Sequence, residues 1–251
     1  MNDGKVVLIT GSSRGLGAGF AKHLAKRGCK IVINYASSEA EAAQLYQEIA
    51  QYGGEENILS IQADVSNRQA VISMFDTIME KFGRVDVLIN NAGINIDKPF
   101  LELGDDDWHT VINTNLTGTF ICSQEFARRF ASDELGHIIN LGAITGIQGR
   151  KNGANYCSSK AGIITLTKCL ALELAPQILV NCVLPGTMNT EEVMERYNLH
   201  DSETREKFIN TIPMRRIGTV EEVCVMVDFI IDKVNYSTGQ KFFVDGGLVM
   251  H

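Results

Sequence analysis

The sequence predicts an α/β fold: a doubly wound, parallel β-sheet lying between two layers of helices, in one domain spanning residues 1–251. Three observations predict it. Short β-branched apolar runs alternate with longer amphipathic stretches along the chain. The runs are apolar throughout rather than at every second residue, and the first leads through a glycine-rich turn into a helical pattern. Continuously apolar strands must be covered on both faces, which helices on each side of a sheet provide. The crossovers are then expected to be right-handed.

The elements follow in order. Val6-Val7-Leu8-Ile9 is the first strand, followed by a helical pattern from about Leu16 to Arg27. Ile31-Val32-Ile33 precedes a helix near 38–52, and Ile58-Leu59-Ser60-Ile61 one near 67–82. Val85-Asp86-Val87-Leu88-Ile89 is the fourth strand. Two long helical patterns, 105–131 and 155–175, flank the strand His137-Ile138-Ile139-Asn140-Leu141. Leu179-Val180-Asn181-Cys182-Val183-Leu184 comes next, then a helix at 219–231 and a last strand, Lys241-Phe242-Phe243-Val244. The stretch 186–215 has mixed charges and few apolar runs. On a doubly wound sheet it would follow the carboxyl end of a strand, where ligands bind, and it reads as a mobile substrate lid.

Composition narrows the function. The 251 residues are 45% hydrophobic, enough for one large core, although the length alone would also accommodate two small domains. Formal net charge is −7 and no Lys/Arg block stands out, which argues against a nucleic-acid partner. No stretch approaches the roughly 18–20 apolar residues of a membrane span. The start, Met1-Asn2-Asp3-Gly4-Lys5, has neither the basic region nor the cleavage site of a signal peptide, so a cytoplasmic protein is expected. Six scattered cysteines, without a CxxC pair or His/Cys ligand spacing, read as reduced and mostly buried thiols, with no metal site.

Thr10-Gly11-Ser12-Ser13-Arg14-Gly15-Leu16-Gly17 joins the first strand to the first helix. Glycines let the backbone approach a pyrophosphate, and a helix N-terminus offers free N–H groups and a positive dipole end. The spacing is GxxxGxG, not the commoner GxGxxG, and its position between strand and helix makes it a Rossmann-type dinucleotide turn. An NAD-selective site carries an acid at the end of the second strand. Here the run is Asn34-Tyr35-Ala36-Ser37-Ser38, with no acid before Glu39. Arg14 could meet a 2′-phosphate through charge-assisted bonds, so NADP(H) is expected over NAD(H).

The chain resembles the short-chain dehydrogenase/reductase family, and within it the 3-oxoacyl-thioester ketoreductases. The resemblance rests on the glycine turn, Asp64-Val65, Asn90-Asn91-Ala92-Gly93, Asn115, Tyr156-Cys157-Ser158-Ser159-Lys160, Pro185-Gly186 and Val244-Asp245-Gly246-Gly247. It implies that Asp64 and Val65 meet the adenine, and that Asn90, Asn91, Ala92 and Gly93 line the cofactor. Pro185, Gly186 and Thr190 would hold the nicotinamide end, with Gly11, Ser13, Arg14, Gly15, Leu16, Gly17, Asn34, Tyr35, Ala36 and Ser37 around the phosphates and adenosine ribose. Tyr156 and Lys160 stand four apart on a helix and share one face. An ammonium near a phenol favours the phenolate, so Lys160 is expected to lower the Tyr156 pKa and make it an acid/base near neutral pH. By resemblance, Tyr156 protonates a carbonyl oxygen while hydride reaches carbon, Lys160 also binds the ribose, and Asn115 fixes a water that relays protons to Lys160.

One position departs from the pattern. The resemblance implies a serine thirteen positions before the tyrosine, hydrogen-bonded to the substrate oxygen; that position is Ala143. A methyl group cannot donate, and one lost preorganised donor costs roughly 100- to 1000-fold in rate. Three accounts stay open. The alanine was introduced to slow turnover, or it is natural with Thr145 or a substrate group donating instead, or the protein binds cofactor without turnover.

The substrate is less legible. A 3-oxoacyl thioester, on a carrier protein or free, and a small ketone, sugar or steroid-like alcohol all fit. Arg128-Arg129 would suit an acidic carrier protein, but Asp133-Glu134 and Gln177 would not. Arg150-Lys151 reads equally as an aid to anionic substrates and as a solvated loop. Apolar residues beyond one stripe on the long helices (Phe120, Ile121, Phe126 and Phe130; Ile163, Leu166, Leu170 and Leu174), together with the resemblance, imply a homotetramer.

Overall fold

The computed structural model describes residues 4–250. Seven parallel strands, β1 (Val6–Ile9), β2 (Lys30–Tyr35), β3 (Ile58–Gln62), β4 (Val87–Asn90), β5 (Gly136–Leu141), β6 (Ile178–Pro185) and β7 (Lys241–Val244), form one sheet in the order β3-β2-β1-β4-β5-β6-β7. The order reverses between β1 and β4. That leaves a crevice at their carboxyl ends, the switch point at which such sheets bind ligands.

Successive residues of a strand enter opposite layers. Val7 and Ile9 pack with Phe20, Leu24, Leu45, Ile49 and Val227, from α1 (Gly15–Lys26), α2 (Glu39–Gly53) and α10 (Val220–Lys233). Val6 and Leu8 pack with Phe75, Ile78, Phe126 and Ala171, from α3 (Arg68–Phe82), α5 (Gly118–Arg129) and α7 (Ala154–Leu174). All four residues of β1 are buried for this reason, and the predicted doubly wound α/β fold is what the chain adopts. Local chemistry sets several boundaries. The Asn67 side chain accepts from Ala70 N at 3.1 Å at the start of α3, and Thr219 with Glu222 forms a capping box on α10.

Two expectations change. The helix expected over 105–131 is α4 (Asp105–Ile112), a π-helical turn (Asn113–Thr117) and α5, and the turn carries Asn115. Single π-turns inside helices frequently mark functional sites. The irregular stretch at 186–215 contains α8 (Glu191–Arg196) and α9 (Ser202–Ile209), which share a small core of Met194, Leu199 and Ile217. Helices this short show little periodicity in sequence.

Candidate active site

The glycine turn leaves β1 and comes to lie against the end of β4. Gly11 has φ +58°, and a Cβ there would stand 2.8 Å from Ala92 Cα, so only glycine allows the two segments to touch. A Cβ on Gly17 would lie 2.6 Å from Asn91 Nδ2 and 2.7 Å from the Gly11 carbonyl oxygen. Two asparagines brace this arrangement. Asn91 Nδ2 donates to the carbonyls of Thr10 (3.0 Å) and Gly11 (2.8 Å). Asn34, buried, accepts from Gly11 N at 3.1 Å and donates to the Ala63 carbonyl at 2.9 Å. Both were expected to line the cofactor; in this structure their side chains hold the glycine turn in shape.

No side chain caps α1, whose N-cap is the extended residue Arg14. An uncapped helix start behind a cradle that a single Cβ would fill fits a dinucleotide pyrophosphate. Ser13, Arg14 and Gly15 form one end of a groove of about 380 Å³ that continues past Lys22 and Gln44. Arg14 is exposed there; Ala36 and Ser37, which do not line that groove, are exposed too, and Tyr35 is half-buried. Asp64 is exposed and accepts from Ser66 N at 2.9 Å. Val65 is buried, and a Cβ on Gly118 would lie 2.6 Å from its Cγ2, so Val65 packs against α5 rather than facing the groove.

The other predicted residues collect at the same sheet edge. Asn90 ends β4 and donates to Asn140 Oδ1 at 2.8 Å, joining it to the carboxyl end of β5. Gly93 approaches Asn115, whose Oδ1 would be 3.3 Å from an added Cβ. The Asn115 side chain, fully buried, accepts from Ile94 N (2.8 Å) and donates to the Ile94 carbonyl (3.0 Å) and to Ser159 Oγ (3.0 Å). Ser159 donates in turn to the Tyr156 carbonyl at 2.7 Å. Asn155 accepts from Tyr156 N at 2.7 Å and donates to the Ile96 carbonyl at 3.0 Å. Ser159 lies inside the Tyr-Cys-Ser-Ser-Lys run but was given no role from sequence, and Asn155, which adjoins the run, was not singled out. Together with Asn115 they pin the β4–α4 loop to the first turns of α7. Pro185 ends β6, a Cβ on Gly186 would lie 2.7 Å from Asp245 Cα, and Thr190 is the N-cap of α8.

Tyr156 and Lys160 share a face of α7, but their relation differs from the expected one. Lys160 Nζ donates to the Leu141 carbonyl at 2.6 Å and lies 5.7 Å from the Tyr156 ring centre. Burial lowers the lysine to about 8. Burial, with Glu192 adding to it, pushes the Tyr156 phenol up to about 12 against the opposing pull of Arg150 and Arg196. Desolvation therefore outweighs the cations, and the ammonium is aimed at a strand-end carbonyl rather than at the phenol. The acidification expected from Lys160 is absent from this structure.

Ala143 follows β5 and is half-buried. The chain turns helical at Ile144 and continues as α6 (Thr145–Gln148), so residues 143 and 145 do not share a face as they would along an extended strand. The Thr145 hydroxyl is buried with no hydrogen-bond partner among the described residues. A Cβ on the next residue, Gly146, would lie 2.8 Å from Ala161 N, which sets α6 directly on the Tyr156–Lys160 segment.

Arg150 is not a solvated loop charge. Its fork donates to Asp97 Oδ2 and Oδ1, each at 2.7 Å, and its guanidinium stands over the Tyr156 ring, 5.6 Å from the centre.

A family model described as short chain dehydrogenase matches residues 5–200. The chain belongs to the short-chain dehydrogenase family. It is 40% identical over 249 residues to the 3-oxoacyl-[acyl-carrier-protein] reductase of Synechocystis sp., covering 98% of this chain and 97% of that protein. It is 38% identical over 248 residues to a reductase of that name, FabG, from Staphylococcus epidermidis, covering 98% and 99%. Among solved structures it superposes on a putative gluconate dehydrogenase from Agrobacterium tumefaciens with a TM-score of 0.92 at 34% identity, over 99% and 98% of the two chains. A short chain dehydrogenase from Bacillus anthracis gives 0.86 at 33% identity, over 98% and 97%. This short-chain dehydrogenase is therefore an oxidoreductase. Among the described residues no group of His, Cys, Asp or Glu could hold a metal ion, and no helix is long and apolar enough to cross a membrane.

Proposed function

We propose that this short-chain dehydrogenase reduces a ketone to a secondary alcohol with NADPH, and that its substrate is a 3-oxoacyl thioester. The observation that carries this reading is the gathering of the glycine cradle and the Tyr156–Lys160 helix at one sheet edge, in a chain 40% identical to a reductase named for that substrate. Gly11, Ser13, Arg14, Gly15, Leu16 and Gly17 would hold the pyrophosphate and 2′-phosphate. Asp64 would serve the adenine, Lys160 the nicotinamide ribose, and Gly186 and Thr190 the ring. When bound, the cofactor supplies hydride to the carbonyl carbon. Tyr156 holds the proton for the carbonyl oxygen, and a phenol kept neutral by burial is the correct form for a proton donor. Asn115 and Ser159 fix the turn of α7 that aims it.

A second reading rests on Ala143. Without a donor there, the protein would bind cofactor and turn over slowly or not at all, unless the unpartnered Thr145 hydroxyl donates. A carrier protein would have to dock elsewhere than at Arg128 and Arg129. Arg128 and Arg129 both pair with the buried carboxylate of Glu125, so the basic pair neutralises this chain's own charge. A cytoplasmic homotetramer completes the reading. Phe120 and Leu172 are 39% and 86% exposed on α5 and α7, whereas Ile121, Phe126 and Ile163 belong to the core.

NADPH oxidation against a panel of 3-oxoacyl thioesters and small ketones tests the proposal. Thioester-dependent turnover that Tyr156→Phe abolishes is expected. Full activity in Tyr156→Phe would remove the proposed proton donor.

A further inference from the structure

A charged network beside Tyr156 takes no part in the scheme above. Arg150, in the turn between α6 and α7, donates to both oxygens of Asp97 and, at 3.1 Å, to Asn95 Oδ1. Arg196, the last residue of α8, donates to Asp97 Oδ2 at 2.6 Å and to Glu192 Oε1 at 2.6 Å. Asn95 donates to the same Glu192 oxygen at 3.4 Å. Asp97, on the loop between β4 and α4, thus ties the lid helix to the turn that precedes the catalytic helix. The tie lies against the phenol ring through Arg150.

Most surface ion pairs contribute little, because water screens them and ordering two long side chains costs entropy. This one differs in two ways. The side chains of Arg150, Asp97 and Arg196 are only 16%, 27% and 19% exposed. The Arg150–Asp97 pair is also bidentate, which fixes the guanidinium plane as an ammonium could not. The apolar contacts of α8, by contrast, lie mostly with α9 and its own lid segment.

We propose that Arg150 and Asp97 are positioning residues of the reductase: their pair, shared with Arg196, closes the lid helix over Tyr156 and keeps a guanidinium against the phenol. This rests on the function proposed above. The charged and titratable groups around the phenol are Lys160 from α7, Arg150 from the α6–α7 turn, Glu192, Arg196 and Tyr197 from α8 and its end, and Asp97 beyond Arg150. Arg150 and Arg196 pull the phenol down while burial and Glu192 push it up. A lid that swings away takes Glu192 and Arg196 with it and leaves Asp97 paired with Arg150 alone. Lid closure and proton-donor acidity are in this way coupled through one carboxylate.

The test uses the full chain in the alcohol-oxidising direction, with a 3-hydroxyacyl thioester and NADP+, where the phenol must ionise and log kcat/KM rises with pH. Arg150→Met is expected to move that limb about one unit higher, the size expected of one lost neighbouring charge. Arg150→Lys should restore its position without restoring KM, because the charge returns and the fork does not. Arg196→Met should raise KM about tenfold, the loss of about one charge-assisted hydrogen bond. NADPH fluorescence titration shows that each variant is folded and loaded. A limb unmoved in Arg150→Met, or moved equally in Arg150→Lys, would overturn the positioning role. Tyr156→Phe that keeps full turnover would instead sink the proton-donor assignment, so the two failures are distinguishable.

Discussion

His137 should make the protein measurably acid-sensitive well above the pH at which its carboxylates protonate. It sits on β5 between β4 and β6, 4% exposed, with its Nδ1 buried and without a partner among the described residues. Burial, helped by Lys5, lowers its pKa from 6.5 to about 4. The folded protein therefore holds the imidazole neutral at pH 5, whereas the unfolded chain takes up a proton there. The unfolded state binds more protons, so stability is complete above about 6.5 and falls as the pH drops towards 4. The full shift corresponds to about 3 kcal/mol, of which about 2 kcal/mol is lost between pH 7 and pH 5. Other shifted groups lie outside this window: Glu222 is held at about 2, and Lys160 stands at about 8. Urea unfolding at pH 7 and pH 5, at one protein concentration, checks this for the wild type and His137→Leu. The wild type should lose about 2 kcal/mol more than the variant across the two pH values. Equal losses would show that the imidazole is not held neutral, and the burial argument for β5 would fail.

The remaining predictions concern the site and the assembly. Ala143→Ser should raise thioester-dependent kcat by about 100-fold or more by restoring a preorganised donor, and an unchanged kcat would show that the alanine is no impediment. Thr145→Val should lower the residual rate about tenfold if its hydroxyl stands in for the serine, as loss of a single hydrogen bond would; an unaltered rate excludes that substitute. Arg14→Ala should weaken NADPH binding at least about tenfold while leaving NADH nearly unchanged, read by fluorescence titration, since only one of the two carries the phosphate. Light scattering at low protein concentration should return the mass of four chains, and a stable monomer would refute the assembly.

Much of this protein was legible in local pattern. Uninterrupted apolar runs such as Val6–Ile9 demanded cover on both faces, and the structure buries every residue of that strand. The glycine turn was readable because its glycine spacing lies within a few consecutive residues, although distant Ala92, Asn91 and Asn34 pack against it and brace it. The π-turn around Asn115 was not readable, since a segment of five residues is too short to show a period of its own. Nor were the roles of Asn34 and Asn91, because a buried amide and a ligand-facing amide look alike until their partners are known.

What the sequence determined by itself was the layered sheet, the glycine turn between β1 and α1 and the tyrosine–lysine face, each encoded within a few consecutive residues. Tertiary structure alone decided where the charges point. It turned Lys160 toward the Leu141 carbonyl, left the Thr145 hydroxyl unpartnered, and brought Asp97, Arg150 and Arg196 together from three separate segments. The physical reason is range. Backbone propensity and hydrophobic period act over a turn or a strand, whereas desolvation and ion pairing depend on neighbours that only the folded chain assembles.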